Sequence, residues 1–324
     1  MDEIKAEDLD PQQFIEDKVK DISDMVGDGY AINALSGGVD SSAVTMLGHK
    51  ALGEKLLTYF IDNGLMREGE PERIVSLFND QMGVPVQYID ARDEFFSALK
   101  GVNDPEKKRE AVTQTFYKEV FGRLVRESGA GYLLQGTILT DIDETVAGFK
   151  RQHNVFEQLG IDPQETFGYA IIEPLIQLRK DGVRKVAEAS GLPEEIYNRM
   201  PFPGPALAAR VIGEANRKRV DTVRKATSIV EEELEETGAF QYMAILHKDK
   251  VTGIRDDRGE PKRDYGLQIE VRCWDSIDAR TATPTKLSYE KEMWVAERII
   301  HEVPGVVSVT YNRTPKPPST IEAI

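Results

Sequence analysis

Seven consecutive residues, Ser36-Gly37-Gly38-Val39-Asp40-Ser41-Ser42, combine groups suited to holding a phosphate, and they directly follow the apolar run "AINAL" at residues 31–35. If that run is a strand and residues 40–50 a helix, the loop presents backbone N–H groups at a helix N-terminus. The free donors and the helix dipole there both favour an anion. Gly37 and Gly38 allow the backbone close to phosphate, and Ser36, Ser41 and Ser42 offer hydroxyl donors. The lysine of the usual P-loop, G-x-x-x-x-G-K-[ST], is absent. Asp40 would repel phosphate and makes sense if it holds Mg²⁺. A bare S-G-G is explained by a helix cap on a glycine turn; the full S-G-G-V-D-S-S after an apolar strand points to phosphate chemistry.

The surrounding chain supplies the elements that would position this loop. "DPQQFIEDKVKDISDMVG" reads as a helix capped by Asp10 with Pro11 in its first turn, and Ile15, Val19, Ile22 and Val26 share one face. "YAINAL", "KLLTYFIDN", "VPVQYIDA" and "GYLLQGT" read as strands separated by helical stretches, one of them long at residues 105–128. This alternation predicts an α/β fold with a parallel sheet covered by helices on both faces. Ligands in such sheets sit at the carboxyl ends of strands. The ends here are "LSGGVDSS", "FIDNGLMREG", "IDARD" and "LLQGTILTD", all polar or glycine-bearing. Three prolines and two glycines punctuate residues 198–214, which divides the chain into a domain at 1–200 and a second at 201–324. In the second, a charged helix, two strand-like runs, the helix "SYEKEMWVAERIIHEV" and the strand "VVSVTY" predict a smaller α+β domain.

Composition narrows the function classes. With 324 residues and a formal charge of −15, the chain is poorly suited to a nucleic-acid substrate, because phosphate backbones are held by clustered Lys and Arg. It carries one cysteine, Cys273, which excludes a disulfide framework, a cysteine-rich metal site and a cysteine pair relaying sulfur. Cys273 reads as a small core residue of a strand. No run of eighteen apolar residues suggests a membrane span, and the acidic start "MDEIKAEDLD" is unlike a secretory signal. A cytoplasmic protein is the expectation.

The S-G-G-V-D-S-S motif resembles the signature of the N-type ATP pyrophosphatases, the PP-loop family. Over nearly the whole chain, "LSGGVDSS", "DNGLMREGE", "FFSALKGVNDPEKKR", "LLQGT", "IEPL", "MPFPGP", "RVIGE" and "KPPSTIE" further resemble the ATP pyrophosphatase portion of GMP synthetase, in the archaeal form where that portion is a separate subunit. The resemblance implies an adenine nucleotide alpha hydrolase-like domain followed by a dimerisation domain that helps bind xanthosine monophosphate (XMP). It implies a ligase that uses ATP and Mg²⁺ to adenylate the XMP 2-oxo group, with ammonia from a separate glutaminase displacing AMP to give GMP, and a homodimer.

By the same resemblance, Ser36, Gly37, Gly38, Val39, Asp40, Ser41 and Ser42 hold ATP phosphates, and Gln135, Gly136 and Thr137 line the nucleotide site. Asp141 and Glu144 match the family's acidic pair, so that Asp40 and Asp141 become the expected metal ligands; two carboxylates beside a triphosphate require a neutralising cation. Lys180 matches a lysine near the phosphates, and Lys150 and His153 match the lid. Arg67 matches a substrate-contacting arginine, able to grip a phosphate bidentately. Lys316, Ile321 and Glu322 match the C-terminal segment that contacts XMP.

Departures gather on the acceptor side. The family's lid "IKSHHNVGGLP" is "FKRQHNVFEQLGI" at residues 149–161, with Gln152 for a histidine and Phe156-Glu157 for two glycines. Ala206 replaces the glycine of "PFPGPGL", and "TIEAI" replaces "TIEWE". Ser308 stands where the family has an arginine eight residues before the "KPP" lysine. Losing that guanidinium removes on the order of 1.5–3 kcal/mol of charged hydrogen bonding. Arg313 is a candidate substitute, but strand alternation sets 308 and 313 on opposite faces. The alternatives are therefore a paralogue that adenylates a different small oxo compound for amination or thiolation, and a non-catalytic ATP or AMP sensor, against which Asp40, Asp141 and Glu144 speak.

Overall fold

The structure, a computed structural model, describes residues 3–146, 169–200, 202–257, 260–277 and 279–323. In chain order the elements are α1 (Pro11–Val26), β1 (Ala31–Ala34), α2 (Val39–Leu52), β2 (Leu56–Asp62), α3 (Glu70–Ser76), β3 (Val86–Asp90), α4 (Arg92–Ala98), α5 (Pro105–Gln114), α6 (Gly122–Ser128), β4 (Tyr132–Leu134), α7 (Leu139–Val146), β5 (Ala170–Ile172), α8 (Lys180–Ala189), α9 (Glu194–Tyr197), α10 (Arg217–Leu234), β6 (Gln241–Asp257), β7 (Glu260–Asp275), β8 (Thr283–Pro284), α11 (Tyr289–Glu302) and β9 (Val306–Tyr311). They form two compact units. The first holds residues 1–62, 71–90 and 116–199; the second holds 63–70, 91–115 and 200–324. Residues 63–70 and 91–115, which the sequence groups with the first domain, thus cluster with the second unit.

The first unit is built on a five-stranded sheet in the order β3-β2-β1-β4-β5, parallel throughout. Its central strands are buried on both sides, so they read as continuous apolar runs rather than alternating ones. Strand order reverses between β1 and β4, which pair through Ala31 with Tyr132. That reversal is the topological switch point where such sheets bind ligands. Helix α1 starts where Asp10 accepts from the N–H groups of Gln12 (3.0 Å) and Gln13 (3.2 Å). It stops at Gly27, whose φ of +56° a side chain would strain. It buries Phe14, Ile15, Ile22 and Val26 and packs on α2 and α8. Between α5 and α6 the helical stretch widens into a π turn over Thr115–Phe121, at the point where the chain passes between units.

The second unit pairs β6 with β7 antiparallel, adds β8 antiparallel to β7, and sets β9 parallel to β7. Its sheet and the segment near residue 321 share an apolar cluster of Met243, Ile245, Trp274, Ala282 and Ile321. Cys273 is buried in β7, and burial first of all pushes its thiol pKa up. Helices α10 and α11 are tied through Glu233, which accepts from Arg298 (2.7 Å), Trp294 (2.9 Å) and Lys291 (3.1 Å). The Arg298 hydrogen bond is the largest cause holding the Glu233 carboxyl down at about 2, below its usual 4.5. A carboxylate depressed by folding contributes stability above its unfolded pKa and loses it as pH falls through the folded value. Glu233→Gln should therefore flatten the loss of stability between pH 4.5 and about 2, measured by denaturant unfolding across that range.

Candidate active site

The loop leaves β1 at the switch point. The Leu35 N–H still bonds the Tyr59 carbonyl at 2.8 Å, after which the chain turns at Gly37 with φ +77°. A Cβ at Gly37 would meet Ile74 Cγ1 at 3.0 Å and Arg199 Nη1 at 3.3 Å. Arg199 Nη1 also donates to the Gly37 carbonyl at 2.9 Å and so fixes the turn. Ser41 Oγ donates to Gly38 O (3.0 Å) and accepts from the Ser36 N–H (3.2 Å). Its one proton is then used, so Ser36 is the donor in the 2.9 Å contact between the two hydroxyls. Both hydroxyls are spent shaping the loop rather than left to meet a phosphate. Ser42 is fully buried, and its Oγ has no hydrogen-bond partner. Helix α2 begins at Gly38 with no side-chain cap, so its first turn offers main-chain donors and the positive end of its dipole to an anion.

Asp40, in that first turn, accepts from Lys180 Nζ at 2.6 Å through Oδ2, while its Oδ1 is buried without a hydrogen-bond partner. A buried carboxylate oxygen beside a phosphate cradle is a fitting Mg²⁺ ligand. Among the described residues no group of three or more His, Cys, Asp and Glu could hold a metal. Mg²⁺ takes one or two carboxylates and completes its shell with water and substrate phosphates. Asp141 Oδ2 accepts from the Ile138 N–H at 3.1 Å, at the start of α7. Glu144 lies on α7, and its side chain is outside the described residues, as are Lys150, His153, Gln152, Phe156 and Glu157.

The "QGT" segment ends β4 beside the loop. Gln135 N–H bonds Ile172 O on β5 at 3.0 Å. A Cβ at Gly136 would stand 3.2 Å from the Asp40 carbonyl carbon and 3.3 Å from the Ser41 nitrogen, so glycine is what lets this strand end lie against α2. Thr137 is buried and hydrogen-bonds Glu173, while Gln135 Nε2 donates to Thr137 Oγ1 at 3.2 Å. Glu173, which lies within "IEPL", and Arg199 are partners of the site to which the sequence assigns no role. Both lie more than 30 residues from what they hold.

The second unit holds the residues expected to meet the acceptor. Arg67 is no solvated loop arginine: its side chain is 13% exposed, its Nε pairs with Glu231 at 2.7 Å, and its guanidinium lies 4.0 Å from the Phe202 ring centroid. Its Nη1 is buried without a hydrogen-bond partner. Lys316 Nζ donates to the Ala279 carbonyl at 2.7 Å. Ile321 is anchored in the apolar cluster, and Glu322 accepts from Gln241 at 2.8 Å and Arg210 at 3.3 Å. Ser308 lies on β9 and accepts from Gln268 at 3.4 Å. Strand alternation does not reach position 313, since β9 ends at Tyr311; Arg313 instead pairs with Glu292. Ala206, which replaces a family glycine, has φ +50°, a left-handed conformation that a Cβ strains. Ala206→Gly should raise the unfolding free energy by about 0.5–1 kcal/mol, the left-handed penalty less the chain entropy of glycine. Denaturant titration checks this.

A glycine turn at the switch point leading into the uncapped N-terminus of α2, on a five-stranded parallel sheet with a separate mixed-sheet unit, defines an α/β protein. The family model for the GMP synthase C-terminal domain matches residues 228–323. The chain is 48% identical over 314 residues to one subunit of the glutamine-hydrolyzing GMP synthase of Archaeoglobus fulgidus, covering 97% of this chain and 99% of that one. It is 48% identical to the corresponding subunit from Pyrococcus abyssi (96% and 98% covered) and 44% identical to that from Methanopyrus kandleri (97% and 99%). The chain belongs to this family of GMP synthase subunits. Among solved structures, NMN synthetase from Francisella tularensis aligns with a TM-score of 0.45 at 15% identity, covering 61% of this chain and 78% of that one.

Proposed function

We propose that this protein is a ligase that aminates XMP to GMP at the expense of ATP. The XMP 2-oxo oxygen attacks the α-phosphorus, and pyrophosphate leaves with the bonding electrons. Ammonia then adds at C2, and AMP departs carrying the former 2-oxo oxygen. The balance is ATP, XMP and ammonia to AMP, pyrophosphate and GMP. The observation that carries this reading is the near-full-length identity to GMP synthase subunits, and the uncapped α2 N-terminus supports it with a place for the leaving pyrophosphate.

In this reading the main-chain donors of the first turn of α2, residues 39–41, hold the pyrophosphate as it gains charge, with no reorganisation at the moment of reaction. Lys180, placed by its bond to Asp40, brings a cation to the same phosphates. Asp40 and Asp141 would hold Mg²⁺, which neutralises phosphate charge when bound. Glu144, Lys150 and His153 complete the proposed catalytic set. Arg67, Lys316, Ile321 and Glu322 bind the acceptor. A separate glutaminase protein supplies ammonia, and the active form is a cytoplasmic homodimer. Among the described residues no helix is long and apolar enough to cross a membrane.

A second reading, another small oxo acceptor for amination or thiolation, is favoured by Ser308, which meets Gln268 and offers no guanidinium. Pyrophosphate release with Mg-ATP and ammonium chloride, with and without XMP, separates the two. XMP-dependent release with GMP formed is expected; ATP binding without XMP-dependent turnover would favour the other acceptor.

A further inference from the structure

Two buried arginines of the second unit converge on residues 320–322 from different sides. Arg272 Nη1 reaches three successive carbonyls, those of Thr320 (2.9 Å), Ile321 (3.1 Å) and Glu322 (3.0 Å). The other side of its fork is fixed: Nε donates to Glu270 Oε1 at 2.6 Å. Glu270 in turn contacts Asn312 Nδ2 at 3.2 Å and His247 Nε2 at 3.0 Å. A planar guanidinium held this way is a rigid bracket for the main chain. Ile321 is sunk in the apolar cluster between the same points.

Arg210 acts on the side chain. It is fully buried, and its Nη2 pairs with Glu322 Oε1 at 3.3 Å. The chain on either side of it is clamped by the buried Lys108, which donates to the carbonyls of Ala208 (3.3 Å) and Val211. The Arg210 guanidinium lies 4.6 Å from the Phe202 ring centroid, the ring that Arg67 also covers. The two arginines over this ring keep buried nitrogens with no hydrogen-bond partner, Arg67 Nη1 and Arg210 Nε and Nη1, and Oε2 of the Glu322 that Arg210 holds is likewise buried without one. Unpaired buried donors and acceptors are rare because each forfeits its hydration. The Glu322 Oε2, left open on the carboxylate that Arg210 holds, is an acceptor for a nucleotide N–H.

We infer that Arg272 and Arg210 are positioning residues for the acceptor nucleotide. Arg272 sets the main chain of residues 320–322, Arg210 sets the Glu322 carboxylate, and the subsite is thereby formed before the nucleotide arrives. The inference rests on the proposed role of Glu322 in binding XMP. Lysine at either position keeps the charge but loses the fork.

Arg272→Lys and Arg210→Lys should each raise the KM for XMP by about 10- to 100-fold while kcat stays within about threefold and the KM for ATP is unchanged. Without any nucleotide, amide hydrogen exchange in the peptide covering residues 315–323 should speed up in Arg272→Lys. Adding Arg210→Lys to Glu322→Gln should change the XMP KM no further, because Arg210 acts through that carboxylate. A general structural role would instead lower kcat and raise both KM values together. Unchanged exchange, or an unchanged XMP KM in both variants, overturns the inference while XMP turnover by the parent protein stands. No XMP turnover by the parent overturns the acceptor assignment itself, and this inference with it.

Discussion

Asp40→Asn is expected to lower XMP-dependent pyrophosphate release by about 10²–10³-fold, the loss typical when one preorganised electrostatic contact to the developing charge is removed. The proposed mechanism gives the carboxylate two tasks. Its Oδ2 holds Lys180 at 2.6 Å, and its buried Oδ1 has no hydrogen-bond partner to compete with a cation. Asparagine keeps the shape, so α2 and the Gly136 contact survive, but it neither anchors Lys180 as strongly nor ligates Mg²⁺ well. The loss should therefore fall on kcat and on the Mg²⁺ requirement, with the unfolding midpoint nearly unchanged. A Mg²⁺ titration at saturating ATP checks it. An activity within threefold of the parent at every Mg²⁺ concentration would remove Asp40 from the mechanism.

Arg67→Ala is the second large effect: the XMP KM should rise by about 10- to 150-fold, the equivalent of the 1.5–3 kcal/mol that a hydrogen bond to a charged group contributes. Arg67 is held in one orientation rather than left in solvent. Its Nε is taken by Glu231 and its plane lies over Phe202, so the buried Nη1 is presented in a fixed direction. Truncation also strands Glu231, whose side chain is 23% exposed. Arg67→Lys separates the two consequences, since lysine can still neutralise Glu231 but cannot offer two nitrogens in one plane. Thermal unfolding should be nearly restored by lysine, and the XMP KM should not.

The parts of this structure that local sequence determines are the parts legible in it. The four strands β1 to β4, the cap of α1 at Asp10 and the loop at residues 36–42 each follow from neighbours within a few positions. The three-residue strand β5 is too short for any periodicity to show. The outer arms of β6 and β7 run through "HKDKVTGIRDD" and "EPKRDY", where charge on most positions hides the alternation that marks a half-buried strand. In the site, the loop residues and "QGT" are legible because each motif is contiguous. Arg199, Glu173, Arg210 and Arg272 are not, because their roles depend on packing across long sequence separations: Arg199 lies 162 residues from Gly37, and Arg210 lies 112 from Glu322. The serines of the loop show a third case. Their presence is legible, but that Ser36 and Ser41 spend their protons on each other and on Gly38 is a matter of geometry.

In the proposed reaction the acceptor's own oxygen attacks the α-phosphorus of ATP. That attack is tested most directly with XMP labelled with ¹⁸O at the 2-oxo position, incubated with the protein, Mg-ATP and ammonium chloride, followed by mass spectrometry of all products. One labelled oxygen is expected in AMP, with unlabelled GMP and pyrophosphate. Label in pyrophosphate or inorganic phosphate, or unlabelled AMP formed alongside GMP, would contradict it.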